Sequence, residues 1–207
     1  RDADLDLAAT LATEGSFRNS GQRCTAVKRI VVEEPVLDEF TAKFVAKAGE
    51  FVVGDPADEA TFIGTVIDEP AAIELEERVA KAVSAGAEVL LGGKRSGAQL
   101  EPTIIANVPR DAEMVCEESF GPLAPIMPVR DLDDAIALAN DSDFGLSSGV
   151  VTNDMAAAIR VIKELKTGAV NVNQVPGFRM ESSPFGGVKD SGLGIKEGVI
   201  EAMKFMS

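Results

Sequence analysis

The 207 residues, 45% of them hydrophobic, are enough to build one sizeable core, and no linker or low-complexity tract divides them, so one domain spanning residues 1–207 is expected. A balance of 34 acidic to 20 basic residues, net −14, opposes binding to nucleic acid, and no window approaches the ~18 consecutive apolar residues of a membrane span. The absence of histidine excludes a Cys-His dyad, a Ser-His-Asp triad and a histidine-bearing zinc site.

In chain order, Leu5, Ala8, Ala9, Leu11 and Ala12 recur at helical spacing and predict a helix over 4–14, capped by Asp4 and ended by Gly15-Ser16. Residues 29–33 read as a strand, and 36–51 as an amphipathic helix started by Pro35. After an irregular stretch, 71–85 forms a helix closed by Gly86, followed by short strands at 89–91 and 103–105. Strands at 124–129, 147–151 and 168–172 alternate with helices at 132–140 and 154–165. This order points to a layered α/β sheet with right-handed crossovers. The loop 173–184 is long, and compact domains rarely keep such a loop without a use.

One stretch carries chemistry. Residues 17–28, reading Phe-Arg-Asn-Ser-Gly-Gln-Arg-Cys-Thr-Ala-Val-Lys, join the first helix to the first strand, and such a turn presents a reactive group rigidly. Cys24 is that group; taken alone it is equally a small hydrophobe, but a thiol flanked by Arg18 and Arg23 gains thiolate character. Cys116 reads as packing. Two cysteines so far apart make no disulfide framework, and a thiolate nucleophile fits a reducing compartment, so a cytoplasmic protein is expected. Gly192-x-Gly194-x-x-x-Gly198 lacks the preceding strand of a dinucleotide fingerprint, and Gly92-Gly93-Lys94-Arg95-Ser96 lacks the P-loop spacing, so no mononucleotide-binding fold is expected within this chain. The opening Arg1-Asp2-Ala3-Asp4 is no signal peptide. With no methionine and a helix pattern almost at once, residue 1 is expected to be a cut point within a longer polypeptide.

Three stretches, in order, resemble motifs of the aldehyde dehydrogenase superfamily: Phe17 followed by Gly21-Gln22-Arg23-Cys24, then Glu117-Glu118-Ser119-Phe120-Gly121-Pro122, then residues 184–194, Pro-Phe-Gly-Gly-Val-Lys-Asp-Ser-Gly-Leu-Gly. The resemblance covers the whole chain. It implies the catalytic domain of that family: a three-layer α/β fold with an open, mostly parallel sheet and helices on both faces, the dinucleotide-binding domain lying outside this sequence. It further implies Cys24 as nucleophile, Glu118 as acceptor for the nicotinamide-ribose hydroxyls of NAD or NADP, and Phe120 packed beside the same part of that cofactor. The remaining oxyanion-hole amide, the water-activating glutamate and most of the cofactor site would then lie N-terminal to residue 1, leaving the isolated chain inactive.

Arg23, beside the thiol, and Arg179, in the long loop, suit bidentate recognition of an anion on the aldehyde; each is otherwise a surface brace. The words around them resemble the branch holding phosphonoacetaldehyde dehydrogenase and non-phosphorylating glyceraldehyde-3-phosphate dehydrogenase. A small-molecule aldehyde, phosphonate- or phosphate-bearing, is therefore the expected substrate, with no metal, nucleic acid or membrane partner. By family analogy the full-length protein is a homodimer or homotetramer, with the strand at 169–172 as an edge for a partner. Release of the thioester to coenzyme A or phosphate, or a catalytically idle binding module, are the alternatives.

Overall fold

The computed structural model describes residues 1–180, 182–192 and 198–207. Its first helix, α1 (Leu5–Phe17), is capped by the Asp4 carboxylate, which accepts from the Asp6 and Leu7 amides at 3.0 Å each. The helix does not stop at Gly15-Ser16 as its sequence predicts; it runs on to Phe17. Packing overrides glycine's poor propensity here. A Cβ on Gly15 would lie 2.6 Å from Val27 Cγ2, so the bare α-carbon lets the returning chain press against the helix, and Phe17 stacks on Phe44 with centroids 5.9 Å apart.

Strand β1 (Ile30–Glu33) leads through a 3₁₀ turn with Pro35 at its start into α2 (Leu37–Ala48). A loop follows, then α3 (Glu69–Ser84), whose cap Asp68 accepts from the Ala71 amide at 2.8 Å. Next come β2 (Glu88–Leu91), the hairpin of β3 (Arg95–Ser96) and β4 (Gln99–Leu100), β5 (Thr103–Ala106), the single-turn α4 (Glu113–Cys116) and β6 (Leu123–Val129). The chain continues as α5 (Leu132–Asn140), β7 (Phe144–Gly145), β8 (Ser147–Val150), α6 (Met155–Glu164), β9 (Ala169–Val172), β10 (Val188–Lys189) and α7 (Val199–Met206). The hairpin, the α4 turn, the β7–β10 bridge and α7 are too short or too weakly patterned to stand out in the sequence.

The expected α/β architecture with mostly parallel pairing is present. Four strands form one sheet in the order β1-β6-β5-β2, with β6 parallel to both neighbours and β2 antiparallel at the far edge. β8 and β9 form a parallel pair joined by α6, and β7 pairs antiparallel with β10. Alternation along the strands builds a core on each face. Ile30, Val32, Ile104, Ala124 and Ile126 meet Phe17, Phe40 and Phe44 of α1 and α2. Ile105, Leu123, Met127 and Val129 meet Leu75 and Val79 of α3 and Leu138 of α5. Each of these side chains larger than alanine contributes about 1.5–3 kcal/mol on leaving water.

Polar clasps hold the outlying parts. The Arg29 guanidinium donates to the Leu138, Ala139 and Asp141 carbonyls at 3.0–3.2 Å, closing the C-terminal end of α5 against the start of β1. Asp2 accepts from the Thr152 hydroxyl at 2.7 Å and from the Asn153 and Asp154 amides, so the first residues fasten the turn between β8 and α6; the Thr152 bond above all holds this carboxyl below its ordinary pKa.

The cysteine turn is fixed from below. Asn19 and Ser20 have φ of 55° and 53°, and Gly21 follows at +70°, three successive left-handed residues that reverse the chain under α1. A Cβ on Gly21 would lie 2.1 Å from the Gly121 carbonyl oxygen and 3.0 Å from that of Ser16. Gly97 also has positive φ (+58°), but no atom lies within 4 Å of its would-be Cβ. Gly21→Ala is therefore expected to cost about 1–3 kcal/mol beyond the ~1 kcal/mol of left-handed strain that Gly97→Ala also bears. Urea denaturation of the two full-length variants measures the difference; equal losses would refute the close approach.

Candidate active site

Cys24 stands in the tight turn between Gly21 and β1, with the Ala26 amide donating to the Arg23 carbonyl at 3.0 Å and the Val27 amide to the Gly15 carbonyl at 3.0 Å. Gln22 reaches the Thr65 carbonyl with its side-chain amide at 3.2 Å, tying the turn to the loop before α3. The thiol is exposed, on the wall of a cleft of about 840 Å³ that also takes in Lys28, Glu118, Gln174 and Pro176. Among the described residues the Cys24 backbone N–H has no hydrogen-bond partner.

The Glu117–Pro122 stretch lies next to this turn because Gly21 abuts Gly121. Phe120 has φ 47° and is 43% exposed, so its ring stands out from the turn while the half-buried Glu118 sits inside it. Arg78 of α3 supports both from behind: one terminal nitrogen donates to the Glu118 carbonyl at 3.0 Å and reaches Ser119 Oγ at 3.4 Å, and the other donates to Glu74 at 2.7 Å. An exposed aromatic face two residues from a carboxylate, on a braced turn, fits the ribose and ring of a nicotinamide cofactor.

Lys28 links the two turns. Its ammonium donates to the Arg23 carbonyl at 3.1 Å and lies 4.7 Å from the Phe120 ring centroid. Burial pushes its pKa down, as does Arg23; the charges of Glu118 and Cys24 act the other way. The motifs assign no role to Lys28, although it closes the 17–28 stretch, and none contains Arg78. The signals were a cation at the exit of the cysteine turn and an arginine four residues after Glu74 on α3.

Arg23 is half-buried beneath the long loop: Gly177 rests on Thr25, with Arg23 Nη1 3.5 Å from where a Gly177 Cβ would stand. The Ser147 hydroxyl bonds to the Pro176 carbonyl, and the Asn171 side-chain amide bonds to the Val175, Pro176 and Phe178 carbonyls, so this loop has a defined path over the cysteine turn. Arg23 Nε is buried with no acceptor among the described residues. Arg179 is placed differently. Its guanidinium lies 4.7 Å from the Phe185 ring centroid, in a second hollow of about 140 Å³ lined also by Phe178, Met180 and Ser183.

Cys116, expected to be packing, is instead exposed, at the end of the short α4, with its sulfur 3.6 Å from the Arg110 carbonyl. α4 ends there and turns its last residue outward while Met114 and Val115 enter the core. Of the third motif, Leu193 and Gly194 lie outside the described residues, as does the continuation to Glu197. The Gly192-x-Gly194 reading therefore falls partly outside them too.

Comparison with known proteins matches these features. The aldehyde dehydrogenase family model matches residues 1–207. The chain is 42% identical over 207 residues to a 3-sulfolactaldehyde dehydrogenase of Priestia megaterium, covering all of this chain and 43% of that protein. It is 40% identical over 206 residues to a lactaldehyde dehydrogenase of Methanococcus vannielii, covering 100% of this chain and 44% of the relative. Among solved structures, the glyceraldehyde-3-phosphate dehydrogenase GapN of Methanocaldococcus jannaschii, complexed with NADP, superposes with a TM-score of 0.95 at 41% identity, over 100% of this chain and 44% of that one. The chain thus spans less than half the length of the relatives it matches. With the match running from the first residue to the last, and the thiol turn folded against the Glu-Glu-Ser-Phe-Gly-Pro turn, the chain belongs to the aldehyde dehydrogenase family.

Proposed function

We propose that this chain is the catalytic half of an NAD(P)-dependent aldehyde dehydrogenase that oxidises an aldehyde to the carboxylic acid, with Cys24 as nucleophile. The observation that carries the reading is the exposed Cys24 thiol on a fixed turn, in one cleft with Glu118. The Cys24 thiolate attacks the carbonyl carbon: the C–S bond forms, the carbonyl π pair moves onto oxygen, and the unpaired Cys24 N–H donates to that oxyanion. A nicotinamide dinucleotide, when bound, accepts the hydride that leaves as the C=O bond re-forms to give the thioester. Glu118 would accept from the ribose hydroxyls of that cofactor and the Phe120 ring would pack beside them, which would hold the hydride acceptor at the cleft. Water then adds to the thioester and the thiolate leaves, restoring Cys24.

Arg23 is the anion reader in this proposal. Its buried Nε without an acceptor favours a ligand that supplies one, and the long loop closes the site above it. Arg179, two residues beyond Gly177, is the cation that the long loop itself carries, in the separate hollow beside Phe185. Several relatives are named for anionic aldehydes, among them 3-sulfolactaldehyde and sulfoacetaldehyde dehydrogenases, which supports a phosphonate-, phosphate- or sulfonate-bearing substrate.

Four outcomes are expected. The 207-residue chain alone should give no NAD(P)H from lactaldehyde or sulfoacetaldehyde, as followed by absorbance; steady production would show that the chemistry needs nothing beyond these residues. In the full-length protein, Cys24→Ala should abolish turnover, and product analysis of the unaltered enzyme should give the acid rather than a coenzyme A ester. Arg23→Ala should raise KM for sulfoacetaldehyde about tenfold or more while leaving that for lactaldehyde within about threefold. Equal shifts for both aldehydes would dispose of the anion reading.

A further inference from the structure

The carbonyl that Lys28 grips and the N–H that Cys24 offers belong to one peptide unit. Lys28 Nζ donates to the Arg23 oxygen at 3.1 Å, and the Arg23 carbonyl carbon is bonded to the Cys24 nitrogen. A trans peptide is planar, so fixing the direction of the C=O fixes the N–H that points the opposite way. A cation on the carbonyl also draws electron density through the amide and makes its N–H the stronger donor, since hydrogen bonds in series polarise one another. That N–H has no partner among the described residues.

The ammonium is itself held. It sits half-buried against the Phe120 ring at 4.7 Å, where its interaction with the peptide dipole is less screened than in open water. The same contact ties it to the turn that carries Glu118. A flexible surface lysine would have no such constraint; here the side chain crosses from the exit of the cysteine turn back to the peptide that precedes the thiol.

We infer that Lys28 is a positioning residue for the reaction, orienting and polarising the Arg23–Cys24 peptide so that the Cys24 N–H is aimed at the developing oxyanion. The inference rests on the reading of Cys24 as nucleophile. It assigns Lys28 no proton transfer and no direct contact with the aldehyde: it acts through one amide. Its effect therefore belongs to formation of the oxyanion and not to attack by the sulfur on carbon in general.

That distinction sets the test. In the full-length enzyme, Lys28→Met removes the donor at nearly equal volume, Lys28→Gln restores a neutral donor, and Lys28→Arg restores a charged one. The pre-steady-state burst of NAD(P)H, with lactaldehyde or sulfoacetaldehyde as substrate, should slow about ten- to a hundredfold in Lys28→Met, because loss of an entire oxyanion-hole donor costs ~10²–10³. Lys28→Gln should fall between it and the unaltered enzyme, and Lys28→Arg should recover most of the rate. Alkylation of Cys24 by iodoacetamide, a displacement that forms no oxyanion, should reach the same limiting rate at high pH in all of them, within about threefold.

A burst within about threefold of normal in Lys28→Met would overturn the inference. So would an equal fall in burst and in limiting alkylation, which would mark Lys28 as a brace of the turn. Should Lys28→Met not fold, Lys28→Gln and Lys28→Arg decide by the same two readings. Cys24→Ala, measured alongside, separates the failures: a Cys24→Ala enzyme that still turns over defeats the nucleophile reading, whereas a dead Cys24→Ala enzyme with a normal Lys28→Met burst defeats only the Lys28 inference.

Discussion

The contact between the Gly21 α-carbon and the Gly121 carbonyl is the constraint from which the rest of the site follows. Two segments about a hundred positions apart in sequence touch there through backbone alone, with no side chain to act as a spacer. Each arrives by its own route: one from the end of α1, the other from α4 on its way into β6. Because the meeting is backbone on backbone, it has little give, and the thiol on one turn and the carboxylate on the other inherit a fixed separation. A side chain at Gly21 would push them apart, and one at Gly121 would meet Leu75 Cδ1 of α3 at 2.3 Å.

The two helical layers hold this contact from opposite sides. α1 ends in Phe17, fully buried against Phe44, so the cysteine turn starts from an anchored ring. α3 supplies Leu75 beneath Gly121 and Arg78 behind Glu118, so the carboxylate turn leans on a helix of the other face. The sheet lies between, with Ile30 beside Ile126 in parallel register. Cations accumulate where these layers meet, Arg23 and Lys28 on one turn and Arg78 under the other, in a chain whose net charge is −14.

Much of this was legible in the residues. Asp4, Asp68, Asp131 and Asp154 all cap helices that periodicity marks, and each accepts from amides of the first turn. The helix at 132–140 agrees to the residue, because its cap and its apolar spacing coincide. Where the reading failed, a contact distant in sequence had overridden a local rule: α1 runs through Gly15 because Val27 packs on it, and Cys116 faces outward because α4 is only one turn long. The β3–β4 hairpin and β7 hold two residues per strand, too few for a period to register. In the site, Cys24, Glu118 and Phe120 could be marked from motifs. Lys28 and Arg78 could not, since their importance lies in which backbone oxygens they reach, and no one-dimensional pattern records that. Arg179 stood out for its charge, but its place over the Phe185 ring depended on the course of the loop.

The order of strands also says something about how the polypeptide comes into being. Among the described residues β1 is an outer strand partnered by β6 alone, with Ile30 opposite Ile126, and the Asp2 clasp closes later still, on Thr152. Between the emergence of β1 and that of β6, the growing chain therefore carries an apolar strand whose sheet partner has not yet been made, while α1 already has α2 to pack against. The cysteine turn gains its backbone support only when Gly121 has emerged, so the setting of this thiol is completed by a segment made a hundred residues later.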